Sequence, residues 1–363
     1  MRTGVTLRTL DGAVLELAID GERFAPPDAG PLDAELDTAG WWALPGLADC
    51  HAHLGSEPGG ERLHGAELAD AAAQRAFAQL RGGVFLVADK GAHDEATLTV
   101  LTRPPTERPD LHMAGRVVTA PGGYLSEFAT EVDEAGLAAA VAATAARSGA
   151  SGATWVKLIG DWPRRGQGAP PNFGEEALAE AVAVAHRAGC RTAIHTCAPR
   201  TASMAVAAGV DSIEHGLFLT TDDVAALGAR GGAWVPTITN MEAVAAQLGP
   251  TSSGGRLFVD GLDNLRGLLP GAPAAGVAVL AGSDLALPHG GIAPEAGKLV
   301  EYGLSPEAAL HAITTAAYDY LGQPRGFAAG LPADALFFDQ DPREDLSVLA
   351  RPRLVLRHGR VLG

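Results

Sequence analysis

LPGLADCHAHL, residues 44–54, is the stretch from which the rest of the chain can be interpreted. The apolar run at 43–48 predicts a buried strand, and that strand leads into two histidines, His51 and His53. Side chains alternate along a strand, so both imidazoles are expected on the same side of it. Two imidazoles at a strand end are half of a metal site, although the same pattern also occurs as two ordinary loop histidines.

The composition is that of a large acidic globular protein. The chain has 363 residues, of which 47% are hydrophobic, enough for one large domain with a smaller annex. A net charge of -16 argues against nucleic acid or an anionic membrane surface as a partner. No apolar run approaches the ~20 residues of a membrane span, and three irregularly spaced cysteines indicate reduced thiols. We expect a cytoplasmic protein with a small-molecule substrate; a homo-oligomer is possible but has no sequence signature.

Strand and helix patterns alternate through the middle of the chain. Apolar segments predict eight strands, at 44–50, 84–88, 112–118, 154–159, 192–195, 212–214, 233–236 and 277–281. Ala-rich segments predict helices between most of them, including 67–81, 134–148, 175–188 and 221–230, and Ser305-Pro306 opens one more. This order predicts an α/β fold, a (β/α)8 TIM barrel. An open doubly wound sheet is the alternative, but no Gly-rich dinucleotide fingerprint follows the first strand.

Both ends of the chain carry short alternating segments of a different kind. They predict a small β-sandwich built from residues 1–43 and 331–363, beside a barrel at 44–330.

Polar residues follow the predicted barrel strands, where the active sites of such barrels form. They are His51, His53, Lys157, His195, His215 and Asp284. Imidazole and carboxylate at this density are typical of a metal site. Each residue alone also has an ordinary explanation, such as a hydrogen-bonded core histidine or an aspartate in a turn.

Lys157 is the unusual member of this set, because the chain contains only three lysines and this one lies between Val156 and Leu158. A buried amine is costly unless it is paired or chemically altered. Burial lowers the pKa of an amine, and a neutral amine can add carbon dioxide. The resulting carbamate is an anionic ligand that can bridge two cations.

These motifs resemble those of the amidohydrolase superfamily, in its imidazolonepropionase-like and prolidase-like group of metal-dependent hydrolases. The similarity extends over nearly the whole chain. The matching segments, in order, are LPGLADCHAHLG (44–55), WVKLIGD (155–161), AIHTCA (193–198), SIEHG (212–216), AGSD (281–284) and the tail from 305 onward. Lys157 favours the binuclear, prolidase-like branch.

The resemblance implies a function and a role for each residue. His51, His53 and Asp284 would hold one divalent metal ion, most simply zinc, and His195 and His215 a second. Carboxylated Lys157 would bridge both ions. Metal-bound hydroxide would attack an amide, peptide or cyclic amide bond, and Asp284 would transfer the proton to the leaving group.

The loops that face the substrate depart from the family pattern. Ala88 stands where relatives tend to have arginine, and Tyr124 where many have histidine. Tyr124 and His289 are the candidate substrate contacts. Cys197 lies two residues beyond His195, but the metal interpretation already uses the nearest base that would activate a nucleophilic thiol.

Three alternatives stay open at the level of sequence. A lactonase or phosphotriesterase-like hydrolase would use the same metals, and a mononuclear deaminase-type enzyme would need only one. A catalytically silent metalloprotein is the third. Loops vary freely around such a metal centre, so the sequence does not name the substrate.

Overall fold

The computed structural model describes residues 1–57, 59–125, 127–150, 152–164 and 166–362. Gly363 of the predicted sandwich and Ser126 of the loop near Tyr124 therefore lie outside the described residues. The strands are β1 Arg2–Arg8, β2 Val14–Asp20, β3 Arg23–Ala25, β4 Ala34–Glu35, β5 Trp42–Leu44, β6 Leu47–Ala52, β7 Val84–Asp89, β8 Asp110–Met113, β9 Val117–Thr119, β10 Ala129–Glu131, β11 Trp155–Ile159, β12 Arg191–Thr196, β13 Ser212–His215, β14 Ala233–Val235, β15 Ala278–Val279, β16 Ala335–Phe338, β17 Leu354–Arg357 and β18 Arg360–Leu362.

The helices lie mainly between the strands of the middle region. They are α1 Gly65–Arg81, α2 Leu137–Ala150, α3 Glu175–Arg187, α4 Pro199–Ala207, α5 Thr221–Ala229, α6 Ile238–Leu248, α7 Ser253–Leu268, α8 Ala293–Glu301, α9 Pro306–Ile313 and α10 Thr315–Leu321. Short 3-10 helices occupy Glu95–Thr102, Glu134–Gly136, Leu269–Gly271 and Leu346–Ala350. Over the described ranges, no helix combines the length and the apolar character needed to cross a membrane.

The middle of the chain forms two parallel sheets, as the alternation of strands and helices predicts. One contains seven strands in the order β10-β9-β11-β12-β13-β14-β15, and the other three in the order β6-β7-β8. Backbone hydrogen bonds connect the two sheets, including one from Thr154 N to Met113 O at 3.1 Å and one from Cys50 N to Ala281 O at 2.8 Å. The carboxyl ends of parallel strands meet at one edge, so these sheets gather side chains from distant parts of the sequence.

The stretch at 44–54 contributes to two different sheets. β5 pairs with β16, whereas β6 pairs with β7. The strand predicted at 44–50 begins instead at Leu47, because Pro45 lacks an amide donor and the backbone turns at Gly46. A Cβ on Gly46 would lie 2.3 Å from the Cβ of Phe85. The strand predicted at 112–118 is divided in the same way, into β8 and β9.

Strands from both chain ends form one eight-stranded sheet, in the order β18-β17-β16-β5-β1-β2-β3, with β4 paired to β1. Its apolar core includes Leu7, Phe24 and Phe337, each at most 1% exposed. Arg357 is buried and reaches across to the middle region, with its guanidinium 2.5 Å from Asp334 and 3.1 Å from Asp110 of β8. The expected pairing of the two ends is therefore present.

The helix predicted after Ser305 is present as α9. The Ser305 hydroxyl accepts a hydrogen bond from Ala308 N at 3.1 Å, and Pro306 occupies the first turn. Serine satisfies a free amide at this position and proline fits there because it has none to satisfy. The other predicted helices agree with α1, α2, α3 and α5 to within a few residues.

Candidate metal centre

Three of the predicted ligand residues meet at the end of β6. Nε2 of His51 and Nε2 of His53 each lie 3.3 Å from Oδ1 of Asp284. The segment after β15 approaches closely because Gly282 has no side chain: a Cβ there would lie 2.6 Å from the Cβ of His51. Asp284 N then donates to His51 O at 2.8 Å. The AGSD segment thus brings a carboxylate against the two histidines.

A second cluster forms at the ends of β12 and β13. One ligand atom from each of His195, Cys197 and His215 lies within 4.8 Å of the others. The two clusters are adjacent, because Nδ1 of His215 is 3.8 Å from Oδ2 of Asp284. The imidazole rings of His51 and His215 also lie near each other, with centroids 5.2 Å apart.

Uncommon backbone geometry accompanies these side chains. His215, Thr237 and Asp284 have φ values of 63°, 46° and 41°, in the left-handed region that residues other than glycine seldom adopt. Such residues cost about 1–3 kcal/mol each and persist where the surrounding structure determines them. All three occur where a chain segment turns at the site.

Partners on Nδ1 orient three of the imidazoles. Nδ1 of His51 lies 2.6 Å from Glu214 Oε2, Nδ1 of His53 is 2.7 Å from Gly91 O, and Nδ1 of His215 is 2.7 Å from Thr237 Oγ1. A partner at one ring nitrogen fixes the orientation of the ring and leaves the other nitrogen for a ligand. Nε2 is therefore the available donor atom on each ring.

Glu214 and Lys90 form a buried ion pair behind His51, and sequence reasoning missed both. Nζ of Lys90 lies 3.1 Å from Glu214 Oε1, to which the Ser212 hydroxyl also donates at 2.6 Å. Burial alone would raise the pKa of Glu214, but the charges of Lys90 and His51 keep it below its usual value. A glutamate inside the apolar strand sequence SIEH was the only available signal, and its partner is distant in the sequence.

Lys157 is equally buried but is not compensated in this way. It is 2% exposed, and within the described part of the chain its Nζ has no hydrogen-bond partner. Burial, with a smaller contribution from the charge of Lys90, lowers the pKa of Lys157 to about 8, although the charges of Glu214 and Asp284 oppose the shift. Lys157 is thus a buried amine that makes no hydrogen bond within the described chain, although the charges of Glu214 and Asp284 act on it.

Sequence reasoning also missed Asn240 and Glu295, and the residue that each contacts lies in a distant segment of the sequence. Nδ2 of Asn240 donates to Asp284 Oδ2 at 2.6 Å. Glu295 is fully buried and accepts from the amides of Ile238 and Thr239 at 2.6 and 3.1 Å. It thereby fixes the start of α6, between Thr237 and Asn240. No local pattern indicates either contact, because the partners are more than forty residues apart.

The predicted substrate contacts, Tyr124 and His289, lie in different surroundings. The ring of Tyr124 packs edge-on against Trp162 with centroids 4.6 Å apart, and Trp162 lies 5.6 Å from His195. Burial raises the pKa of Tyr124 above its usual value, so its hydroxyl stays protonated. Nε2 of His289 lies 3.0 Å from Ser56 O, in the loop after β6. Trp162 was not among the predicted contacts.

The donor set matches what divalent metals require. Imidazole nitrogens and a carboxylate converge from the ends of parallel strands, and the unpartnered Nζ of Lys157 lies in the same buried region. Zinc, manganese, cobalt and iron all accept such ligands. The residues present therefore fit a metal centre, and the fold and donor set together define the class: an α/β protein with a metal-type site at the carboxyl ends of its parallel strands.

Comparison with known proteins gives the family. A sequence profile described as the amidohydrolase family matches residues 42–362. An uncharacterized protein of Mycobacterium tuberculosis is 36% identical over 359 residues, covering 95% of this chain and 91% of that protein. An imidazolonepropionase of a Bradyrhizobium species is 36% identical over 129 residues, 34% of this chain and 31% of that enzyme. The crystal structure of a Xaa-Pro dipeptidase with bound methionine has a TM-score of 0.81 at 22% identity and covers 100% of both chains.

The chain belongs to the amidohydrolase family. The resemblance stated from the sequence motifs is confirmed, as is the prediction of an enzyme that hydrolyses carbon–nitrogen bonds. The structural likeness to the dipeptidase supports the same fold over the full length of the chain.

Proposed function

We propose that this protein is a binuclear metal-dependent hydrolase that cleaves an amide, peptide or cyclic amide bond. One observation carries the proposal: two clusters of metal-type ligands lie next to each other, and the buried Lys157, whose charge acts on residues of both, has an Nζ with no hydrogen-bond partner among the described residues. The charge of Lys157 acts on His51, His195 and His215 alike, which is consistent with a position between the clusters.

The residues divide into two metal sites in this proposal. His51, His53 and Asp284 would hold the first ion, His195 and His215 would hold the second, and a carbamate on Lys157 would serve both. Zinc is the proposed metal, because histidine-rich sites favour it. When bound, the two ions supply Lewis acidity toward water and toward the scissile carbonyl.

Asp284 is the proposed proton carrier. Its Oδ1 faces the Nε2 atoms of His51 and His53, whereas its Oδ2 receives the amide of Asn240 and lies toward His215. Burial alone would raise the pKa of Asp284, but the histidine charges hold it well below the usual value, so the carboxylate begins the cycle ionised. Asp284 accepts a proton at Oδ2 and delivers it to the leaving nitrogen.

The substrate is proposed to lie along the aromatic wall beside the second cluster. Trp162 packs between His195 and Tyr124, so a substrate group at the histidines would contact an aromatic face. Tyr124 keeps its hydroxyl proton and is proposed to donate to the substrate carbonyl. His289 is proposed as a weaker contact, since its ring is already held by Ser56 O.

The remaining predictions belong with this proposal. The two parallel sheets are proposed to close into an eight-stranded barrel at 44–330, flanked by a sandwich of residues 1–43 and 331–363. The contacts of Cys50 with Ala281 and of Thr154 with Met113 support closure. We also propose a cytoplasmic location and a small-molecule substrate, with no nucleic-acid partner.

The test is hydrolysis of a substrate panel by zinc-reconstituted protein. The panel contains Xaa-Pro and other dipeptides, N-acyl amino acids, cyclic amides, lactones and a phosphotriester. Lys157→Ala is compared with Lys298→Ala, a matched change at a surface lysine paired with Glu242. We expect one amide class to be turned over, with metal and activity lost only in Lys157→Ala and partly restored by short carboxylic acids.

Three results would count against the proposal. A fully metallated and active Lys157→Ala protein would exclude the bridging carbamate. One metal ion per chain with unmodified Lys157 would favour the mononuclear alternative. Turnover of lactones or the phosphotriester without any amide would replace the proposed reaction and leave the metal centre in place.

A further inference from the structure

A thiol belongs to the second cluster of ligands. Cys197 directly follows β12 and is two residues from His195, which lies within that strand. Sγ of Cys197 lies within 4.8 Å of ring nitrogens from both His195 and His215. Cys197 is 2% exposed, so its side chain faces the interior of the protein.

The backbone around Cys197 is held firmly in place. Its amide lies 3.1 Å from both carboxylate oxygens of Asp161, and the amide of Ala198 donates to the same carboxylate at 3.1 Å. Burial raises the pKa of Asp161 to about 6. The hydrogen bonds from these two amides to Asp161 anchor the turn from β12 into α4 and fix the position from which Sγ of Cys197 extends.

A second feature of the same region also calls for a ligand. The buried Nζ of Lys157 has no partner among the described residues, and its charge acts on Cys197 as well as on the histidines. Sγ of Cys197 also makes a weak hydrogen bond to Sδ of Met241, at 3.9 Å. The thiol therefore borders the place where an ion between His195 and His215 would lie.

We propose that Cys197 is a further protein ligand of the second metal ion, through Sγ, in addition to His195, His215 and the carbamate on Lys157. This inference rests on the proposed function, because it assumes that His195 and His215 hold an ion. Binding would release the thiol proton to solvent and form one metal–sulfur bond. A thiolate beside two imidazoles selects borderline and soft cations, so zinc, cobalt and cadmium should bind more tightly than manganese or magnesium.

The other two cysteines are in different surroundings and provide controls. Cys190 lies at the end of the turn before β12, and Cys50 packs in an apolar cluster with Ala48 and Leu86. Cys50 precedes His51, so alternation along β6 directs it away from the histidines. A cysteine-to-serine change at either position removes a thiol without touching the second cluster.

The experiment loads metal-free protein with two equivalents of Co²⁺ and records near-ultraviolet absorption. Wild type, Cys50→Ser and Cys190→Ser should show sulfur-to-cobalt charge transfer, and Cys197→Ser should lose it while keeping the weaker visible bands of cobalt bound to nitrogen and oxygen. Competition with a chelator should show roughly 10- to 100-fold weaker zinc binding at one site of Cys197→Ser.

Each other outcome is informative. Wild type that binds two cobalt ions without charge transfer overturns the thiol ligand and leaves the proposed hydrolase intact. Wild type that binds no cobalt overturns both proposals. Charge transfer in a protein that cleaves no amide supports the thiol ligand and counts against the proposed reaction.

A measurement on the wild type alone avoids dependence on a folded variant. X-ray absorption at the zinc edge should detect a sulfur neighbour at about 2.3 Å. A shell made only of nitrogen and oxygen at both sites would overturn the proposal, and Cys197 would then be an ordinary buried packing residue.

Discussion

Lys90 at the end of β7 and Lys157 in β11 are both buried at the candidate metal centre, yet their surroundings are opposite. Nζ of Lys90 lies 3.1 Å from Glu214 and 4.0 Å from the ring centroid of Trp155. Nζ of Lys157 has no hydrogen-bond partner in the described chain. A buried charge is tolerated when it is paired, so Lys90 fits a structural role, whereas the lack of a hydrogen-bond partner at Lys157 is consistent with the proposed carbamate.

Asp284, unlike Lys157, has several partners at the site, namely His51, His53 and Asn240. The substitution Asp284→Asn tests its proposed role as proton carrier. The carboxamide keeps the shape of the side chain but cannot accept a proton. We expect turnover to fall roughly 10²- to 10⁴-fold, with the melting temperature nearly unchanged. Steady-state kinetics on the substrate identified by the panel measure this, and a wild-type rate in Asp284→Asn would remove Asp284 from the mechanism.

The same substitution at the two lysines should have opposite effects on stability. Lys90→Met leaves Glu214 buried without its nearest cation, which should lower the free energy of unfolding by about 3–5 kcal/mol. Lys157→Met removes a buried amine that has no hydrogen-bond partner among the described residues. The stability of metal-free protein should therefore be unchanged or higher, by up to about 3 kcal/mol. Denaturant unfolding of both variants in the presence of a chelator measures the difference. Equal destabilisation would show that the two amines are paired to the same extent.

A side chain that orients a metal-binding histidine should affect the affinity for metal more than the free energy of unfolding. Thr237→Val removes the hydroxyl that lies 2.7 Å from Nδ1 of His215 and keeps the branched shape. We expect roughly 10- to 100-fold weaker zinc binding, and Thr237→Ser, which retains the hydroxyl, should restore most of it. Zinc competition titrations measure both. Unchanged affinity in Thr237→Val would mean that His215 is oriented by other contacts.

Glu295 is a buried carboxyl group that differs from Glu214, because no cationic side chain of the described residues contributes to its pKa shift. Burial raises its pKa from 4.5 to about 7, despite hydrogen bonds from Ile238 and Thr239 that oppose the shift. The folded chain therefore holds a proton that the unfolded chain loses, so this stabilisation is complete below pH about 4.5 and is lost as the pH rises to about 7. In metal-free protein, Glu295→Gln should reduce the loss of stability between pH about 4.5 and about 7 by about 1–3 kcal/mol. The same change at the exposed Glu180 should leave that loss unchanged. An identical slope in both variants would contradict the raised pKa.

Local patterns were sufficient to predict most strands, several helices and the positions of the polar residues at strand ends. Alternation predicts a common direction for His51 and His53, and both Nε2 atoms lie 3.3 Å from Oδ1 of Asp284, although His53 lies just beyond the end of β6. The division of the opening stretch at Pro45 and Gly46 was not predicted. An apolar run does not indicate which sheet each of its residues joins, and that depends on the close approach of Phe85.

The residues that the prediction missed share a physical reason. Glu214 is close to Lys90, and Asn240 to Asp284, only because separate strands and loops meet at one edge of the sheets. No local periodicity encodes such a contact. The role of the predicted ligands stays a prediction, but their grouping into two adjacent clusters is a fact of the fold.

The sequence by itself determined the alternation of strands and helices, the family and the kinds of donor atoms available, because these depend on residue type and short-range spacing. Only the tertiary structure decided which of the two buried lysines is paired and that Cys197 lies beside His215. Desolvation and pairing depend on every charge within a few ångströms of a side chain, and those neighbours come from all parts of the chain.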